Sequence, residues 1–273
     1  MIGKKPPGGS AGRRRPSTPA TAQKFQPKRA AAVTTPRHGL ARVLSKLGVC
    51  SRTEAARWIQ AGRVSVQNRL VRDPEFPITQ ALQSTILLDG KPLQGPQRIH
   101  LLLNKPRGLV TSVRDERERD TVYRCFDGAG LPWLAPVGRL DKASEGLLLF
   151  SNDPEWAAAI TDPERGPDKT YHVQVDCLPD AQQLLRMQEG VQIEGVGLLR
   201  AASATLLRHG ERNAWLEIRL DEGRNRQIRR LLEALDIGVL RLIRVAIGDL
   251  PLGDLAKGSW RLLTPDEVRR LTP

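Results

Sequence analysis

The sequence predicts an α+β protein: a small α+β module followed by a larger α/β domain built on a mixed, largely antiparallel sheet. Three observations carry that expectation. Near residue 38 a beginning rich in Pro, Gly and cations gives way to helical periodicity. From residue 99 onward, strand-like and helix-like segments alternate. No strand leads into GxGxxG or GxxxxGK[ST], which argues against a doubly wound nucleotide-binding fold. A chain of 273 residues that is 40% hydrophobic suffices for one substantial core and a small second domain.

Taken in order, residues 1–37 bury too little apolar surface to offset their ordering entropy and read as a disordered basic tail. Residues 38–98 form the small module. Leu40, Val43, Leu44 and Leu47 fall on one face of a short helix that Gly48 ends. Ser51 to Glu54 reads as a capping box opening a second helix, which runs through Trp58 and Ile59 and stops at Gly62. VSVQNRLV and TILLDGKPL follow as short strands, the latter turning at Asp89-Gly90. Residues 99–273 form the larger domain. IHLLLNKP is a strand ending at Lys105-Pro106, and the apolar run Leu147–Phe150 is a buried strand. KTYHVQVDCL and AWLEIRL alternate as strands, and Gly223 breaks the chain before the helix RQIRRLLEAL. Gly95-Pro96, between the two domains, suggests a hinge.

Charge divides the chain differently. Residues 1–38 hold nine Lys/Arg and no acid, residues 39–98 nine against four, and the remainder 25 against 26. The net charge of +13 therefore sits in the first third and favours a polyanionic partner. An ordinary solvated face mixes signs, whereas Arg42, Lys46, Arg52, Arg57 and Arg63 stud the small module with few balancing acids. Aromatics are only 4% of the chain, so the polyanion is expected to be held by its charge rather than on a base-stacking platform. Three scattered cysteines and four isolated histidines offer no metal-ligand spacing, and a reduced, cytoplasmic setting fits them. No apolar run is long enough to span a bilayer, so no membrane is expected.

Candidate chemistry falls to the carboxylates. No serine sits in a GxSxG elbow, and no cysteine or histidine has an activating partner in a motif. Asp141, in VGRLDKASEGLLLFSND, stands two residues after Arg139 at the entrance to the apolar run. A lone turn aspartate is usually a cap, but two other segments raise its interest. Lys169-Thr170-Tyr171 opens a strand with an aromatic. EGRNRQIRR places Arg226, Arg229 and Arg230 at i, i+3 and i+4, a like-charge arrangement that an anion would compensate.

These segments together resemble a known family. LARVLSKLGVCSRTEAARWIQAGRVSVQNRLVRDP is similar to the small RNA-binding module of ribosomal protein S-four. VGRLDKASEGLLLFSND resembles the signature of the pseudouridine synthases, LNKPRGLVTS their first motif, KTYHV their tyrosine motif and EGRNRQIRRLLEAL their third. RLIRVAIGDLPLGDLAKGSWRLLTPDEVRRL resembles the close of the RsuA/RluB branch. The resemblance implies the pseudouridine synthase fold and an isomerase that needs no cofactor and no metal. It implies Asp141 as the essential aspartate, Tyr171 beneath the flipped uracil and Arg229 as its basic partner. Arg139 matches the arginine that fills the space left by the extruded base. Lys105, Arg107, Arg224 and Arg226 are expected to meet the RNA, together with Arg42, Lys46, Arg52, Arg57 and Arg63 of the small module. The third motif lacks the histidine of the small-subunit branch, so 23S ribosomal RNA is the expected substrate. A 16S or tRNA synthase and a non-catalytic ribosome-assembly factor are the alternatives. The chain is expected to act as a monomer.

Overall fold

A computed structural model describes residues 37–93, 97–112 and 120–272. The tail expected over 1–37, apart from Arg37, and the hinge expected at Gly95-Pro96 lie outside the described residues. Residues Pro36–Pro273 form one compact unit.

The small module pairs helices α1 (Leu40–Lys46) and α2 (Arg52–Gln60) over a four-stranded ribbon. Its strands are β1 (Val64–Val66), β2 (Arg69–Leu70), β3 (Ile86–Leu88) and β4 (Lys91–Pro92), in the order β2-β1-β3-β4. Leu40, Val43, Leu44, Ala55, Ile59, Val64 and Ile86 are its buried core; of the four residues the helical spacing picks out, Leu40, Val43 and Leu44 are buried and Leu47 packs against them partly exposed. Half of the expected capping box forms: Ser51 Oγ accepts from Glu54 N at 3.1 Å, while the Glu54 carboxylate turns to Arg57 at 3.4 Å. Both ribbon turns run through positive φ, at Gln67-Asn68 and Asp89-Gly90, matching the twist of two-residue hairpins.

The larger body is a nine-stranded sheet. Its elements are β5 (His100–Lys105), β6 (Ala135–Val137), β7 (Glu145–Ser151), α3 (Pro154–Thr161), β8 (Lys169–Val175) and α4 (Ala181–Glu189). There follow β9 (Ser203–His209), β10 (Ala214–Leu220), α5 (Gln227–Glu233), β11 (Val239–Ile247), β12 (Leu250–Pro251), β13 (Trp260–Leu262) and α6 (Pro265–Arg270). The strand order is β9-β10-β8-β11-β7-β5-β13, with β12 on β11 and β6 on β7. Every pairing is antiparallel except β7 with β11. Among residues 109–112, Val110 forms an isolated bridge to Thr121.

Strand β7 is buried throughout. Because side chains alternate along a strand, Leu147 and Leu149 pack with Trp156 and Ile160 on one face. Leu148 and Phe150 pack with Leu101, Leu103 and Val122 on the other. Covering both faces is why this segment reads as a continuous apolar run. Gly146 makes its parallel contact possible. It sits at φ +99°, and a Cβ there would collide with the Arg244 carbonyl oxygen.

The strand's polar end fastens the small module. Asn152 Oδ1 accepts from Ile99 N at 2.8 Å, and its Nδ2 donates to Gln97 O at 2.9 Å. Asp153 caps α3 through Glu155 N and Trp156 N and meets Arg98 at 2.6 Å. Gly48, at the end of α1, abuts the Asn152 carbonyl. Residues 97–99, which follow the expected hinge, are thus bonded to the body.

Candidate active site

The segment between β6 and β7 carries Asp141, and the first motif holds it in place. Thr111 Oγ1 donates to Leu140 O at 2.8 Å, Gly108 N to Lys142 O at 2.8 Å, and Lys105 Nζ to Ser144 O at 2.8 Å. Ser144 N closes the turn on Asp141 O at 2.9 Å. Two motifs joined by bonds that span 29 to 39 residues of sequence are therefore one structural unit. Lys105 was expected to meet RNA, but it is fully buried and does not reach the surface. Its ammonium also donates to Pro106 O at 3.1 Å. Burial pulls its pKa down to about 8, against the opposing charges of Asp141, Cys125 and Glu145.

Asp141 opens onto a cavity of about 550 Å³, within the usual range for small-ligand sites. Arg139, Ser144, Lys169, Tyr171, Arg226, Arg229 and Arg244 line it with Asp141. Tyr171 and Lys169 come from β8, Arg244 from β11, Arg139 from the segment between β6 and β7, and Arg226 and Arg229 from the start of α5. Tyr171 faces Arg244 across the β8–β11 ladder, so the two occupy one face of the sheet.

Three carboxylates line the cavity: Asp141, Asp162 and Glu222. Asp162 accepts the backbone N–H groups of Glu164 and Arg165, and Glu222 accepts from Gln227 at 2.6 Å. Among the described residues, Asp141 accepts no side-chain hydrogen bond, and its carboxylate is 37% exposed. Its charged neighbour is Arg226, at 3.9 Å.

That neighbour differs from the expected one. Arg229 was expected to pair with Asp141, but its guanidinium donates to Ala143 O at 3.3 Å, and its buried Nε has no partner among the described residues. Arg226 was expected on a helical face with Arg229 and Arg230. It is instead the residue before α5, at φ 53° in the left-handed region. Buried Gln227 explains the turn. It accepts from Arg224 N at 3.1 Å and donates to Glu222 and to Arg200 O, folding residues 222–226 back over the cavity. Burial and the nearby charges of Arg226 and Arg107 lower the Arg229 pKa, while Asp141 opposes them. One carboxylate thus sits among several guanidiniums.

The remaining expected residues divide. Arg139 and Arg107 are exposed beside the site. Arg224 is exposed too, but bonded to Leu198 O and Glu222. On the small module Arg52, Arg57 and Arg63 have acidic partners, in Glu75, Glu54 and Asp89. Exposed ion pairs of this kind are weak and leave these arginines able to meet phosphates. Arg42 and Lys46 lie exposed on α1 with no ion pair among the described residues.

Sequence reasoning missed three residues. Glu145 is buried beneath the site and holds Arg241 at 3.1 Å and Lys257 at 2.5 Å. Burial alone would raise its pKa, but the bonds from Arg241 and Lys257 lower it. Lys169 and Arg244 read as ordinary strand positions. An acid opening an otherwise apolar run was the one available signal for Glu145.

A cation-ringed cavity with one unengaged carboxylate, on a body joined to a basic helical module, defines an enzyme acting on nucleic acid. Residues 99–234 match the RNA pseudouridylate synthase family and residues 39–82 the S4 domain. The chain is 34% identical over 235 residues to the ribosomal large subunit pseudouridine synthase B of Bacillus subtilis, covering 85% of this chain and 94% of the relative. It is 38% identical to the protein of the same name from Escherichia coli O6:H1, covering 81% and 77%. A crystal structure of a pseudouridylate synthase superposes with a TM-score of 0.59 at 28% identity, over 86% of this chain and all of that one. The chain belongs to the RNA pseudouridylate synthase family, in its RsuA/RluB branch, and is an isomerase acting on RNA.

Proposed function

We propose that the enzyme isomerises one uridine of large-subunit ribosomal RNA, using Asp141 as its single catalytic carboxylate on a base flipped out of its stack. The observation that carries the reading is Asp141 itself, the cavity carboxylate left without a hydrogen bond. The names of the two relatives support the substrate. Residues 38–98 grip RNA structure in this reading, and residues 99–273 carry out the chemistry.

The reaction breaks N1–C1′, turns the uracil and joins C5 to C1′; the C5 proton is lost and N1 gains one. The product is an isomer, so no external nucleophile enters. A hydrolytic glycosidase would use two carboxylates and an admitted water, whereas here Asp162 and Glu222 are engaged in their own loops. Flipping the base costs a few kcal/mol in a duplex. Tyr171 offsets part of this by stacking on the uracil, and exposed Arg139 braces the vacated space. Closure of RNA over the cavity removes Asp141 from water, and the surrounding guanidiniums then act on its charge through a medium of lower dielectric.

The test is a map of pseudouridines in both ribosomal RNAs from cells lacking this gene, with wild-type or Asp141→Asn protein restored. One large-subunit site should vanish and return only with wild type. A change confined to small-subunit RNA would refute the substrate, and full rescue by Asp141→Asn would refute the carboxylate's role.

A further inference from the structure

Lys169 and Arg244 stand apart from the cations around Asp141. Arg244 is 5% exposed, yet it lines the cavity. Its Nε donates to Leu147 O at 2.8 Å, and its buried Nη2 has no hydrogen-bond partner among the described residues. A buried guanidinium nitrogen without an acceptor is expensive unless a ligand supplies one. Lys169 lies two residues from Tyr171 on the same face of β8 and lines the same cavity. The two like charges are close enough that Arg244 lowers the Lys169 pKa, after burial the larger cause. Carboxylates nearby are taken: Asp168 by Arg219 at 3.5 Å, and Asp162 by its own loop.

We propose that Lys169 and Arg244 form a subsite for a backbone phosphate of the RNA strand whose base enters the cavity beside Tyr171. A base carbonyl would satisfy the free nitrogen of Arg244 but leave the two cations repelling each other. A phosphodiester supplies both acceptor oxygens and a negative charge. Arg244 neighbours Tyr171 in the ladder, so a phosphate held there is adjacent to a base stacked on that ring. The subsite would set the strand's position along the cavity, and with it the distance from C1′ to Asp141. This inference rests on the reading that RNA threads this cavity.

The test compares binding of a large-subunit ribosomal RNA transcript to wild-type, Lys169→Gln and Arg244→Gln proteins across a salt series, with single-turnover rates alongside. Loss of one phosphate contact should make the slope of log K against log salt shallower by about 0.7 to 0.9. Affinity at fixed salt should fall roughly tenfold. Arg244→Gln also loses the bond to Leu147 O, so thermal unfolding is followed in parallel, and half-exposed Lys169 carries the decision if that variant unfolds. An unchanged slope and affinity with a lower rate would overturn the proposal and leave the pair as supports for Tyr171. Failure of wild type to modify the transcript would defeat the substrate reading, while the binding slopes would still decide the phosphate contact.

Discussion

Lys105 should add to the stability of this enzyme as the pH rises between 8 and about 10. The side chain is fully buried, and its ammonium is held by the carbonyls of Ser144 and Pro106. Its ordinary pKa of 10.5 drops to about 8 in the fold, mainly through burial. Below pH 8 both folded and unfolded chains carry the proton, so the fold bears a constant penalty. Between 8 and 10.5 the unfolded chain keeps the proton and the folded chain releases it, so folding gains as pH rises. Integrated over that window, the gain is about 3 kcal/mol. The neutral amine still donates to both carbonyls, so the latch on the Asp141 loop persists. Urea unfolding at pH 7, 8, 9 and 10 on wild type and Lys105→Met isolates the effect as a difference between two curves. The variant should lack the rise. Parallel curves for the two proteins would show that Lys105 is not a buried cation and would remove the physical basis of the latch.

Other consequences are equally direct. Arg226→Ala and Arg229→Ala should each lower the single-turnover rate by roughly a hundredfold, with smaller losses of RNA affinity; equal losses of rate and affinity in Arg229→Ala would mean that it serves binding alone. Gly146→Ala should destabilise the fold by at least roughly 3 kcal/mol, read as a fall in the urea midpoint, because its Cβ meets the Arg244 carbonyl at an unfavourable φ. Arg42→Gln and Lys46→Gln should weaken binding evenly across RNA sequences and lower the salt slope by about one each; loss for one sequence only would point to base contacts from α1.

Much of this was legible before the fold was seen, for physical reasons. The helices of the small module follow from local periodicity and glycine stops, which act within a few residues. Asp141 drew notice at the entrance to an apolar run, but the roles expected of it and of Tyr171 came from the motif resemblance, because a turn aspartate or a strand tyrosine alone is commonplace. Lys105 misled because Lys-Pro-Arg-Gly has the composition of an exposed loop; its burial depends on Ser144, 39 residues away. Arg226 misled because helical spacing was extended one residue too far. Gln227 decides that boundary through its bond to the Arg200 carbonyl, which no local pattern shows. Arg244 and Glu145 were hidden by the parallel contact of β7 and β11, a pairing across about a hundred residues.

The outer strand β13 adds a constraint on when activity can arise. It pairs with β5 through Trp260↔Leu103, Arg261↔Leu102 and Leu262↔Leu101. Nearby, Asn104 Nδ2 donates to Leu255 O at 2.7 Å, and Lys257 reaches back to Glu145. A nascent chain that has not yet extended past Leu262 leaves β5 as an open edge and Glu145 short of one cation. Loop-closure entropy makes such distant pairings slow to form. The pocket therefore matures after most of the polypeptide has been made, and a prematurely stopped chain would offer an aggregation-prone apolar edge rather than a partly active enzyme.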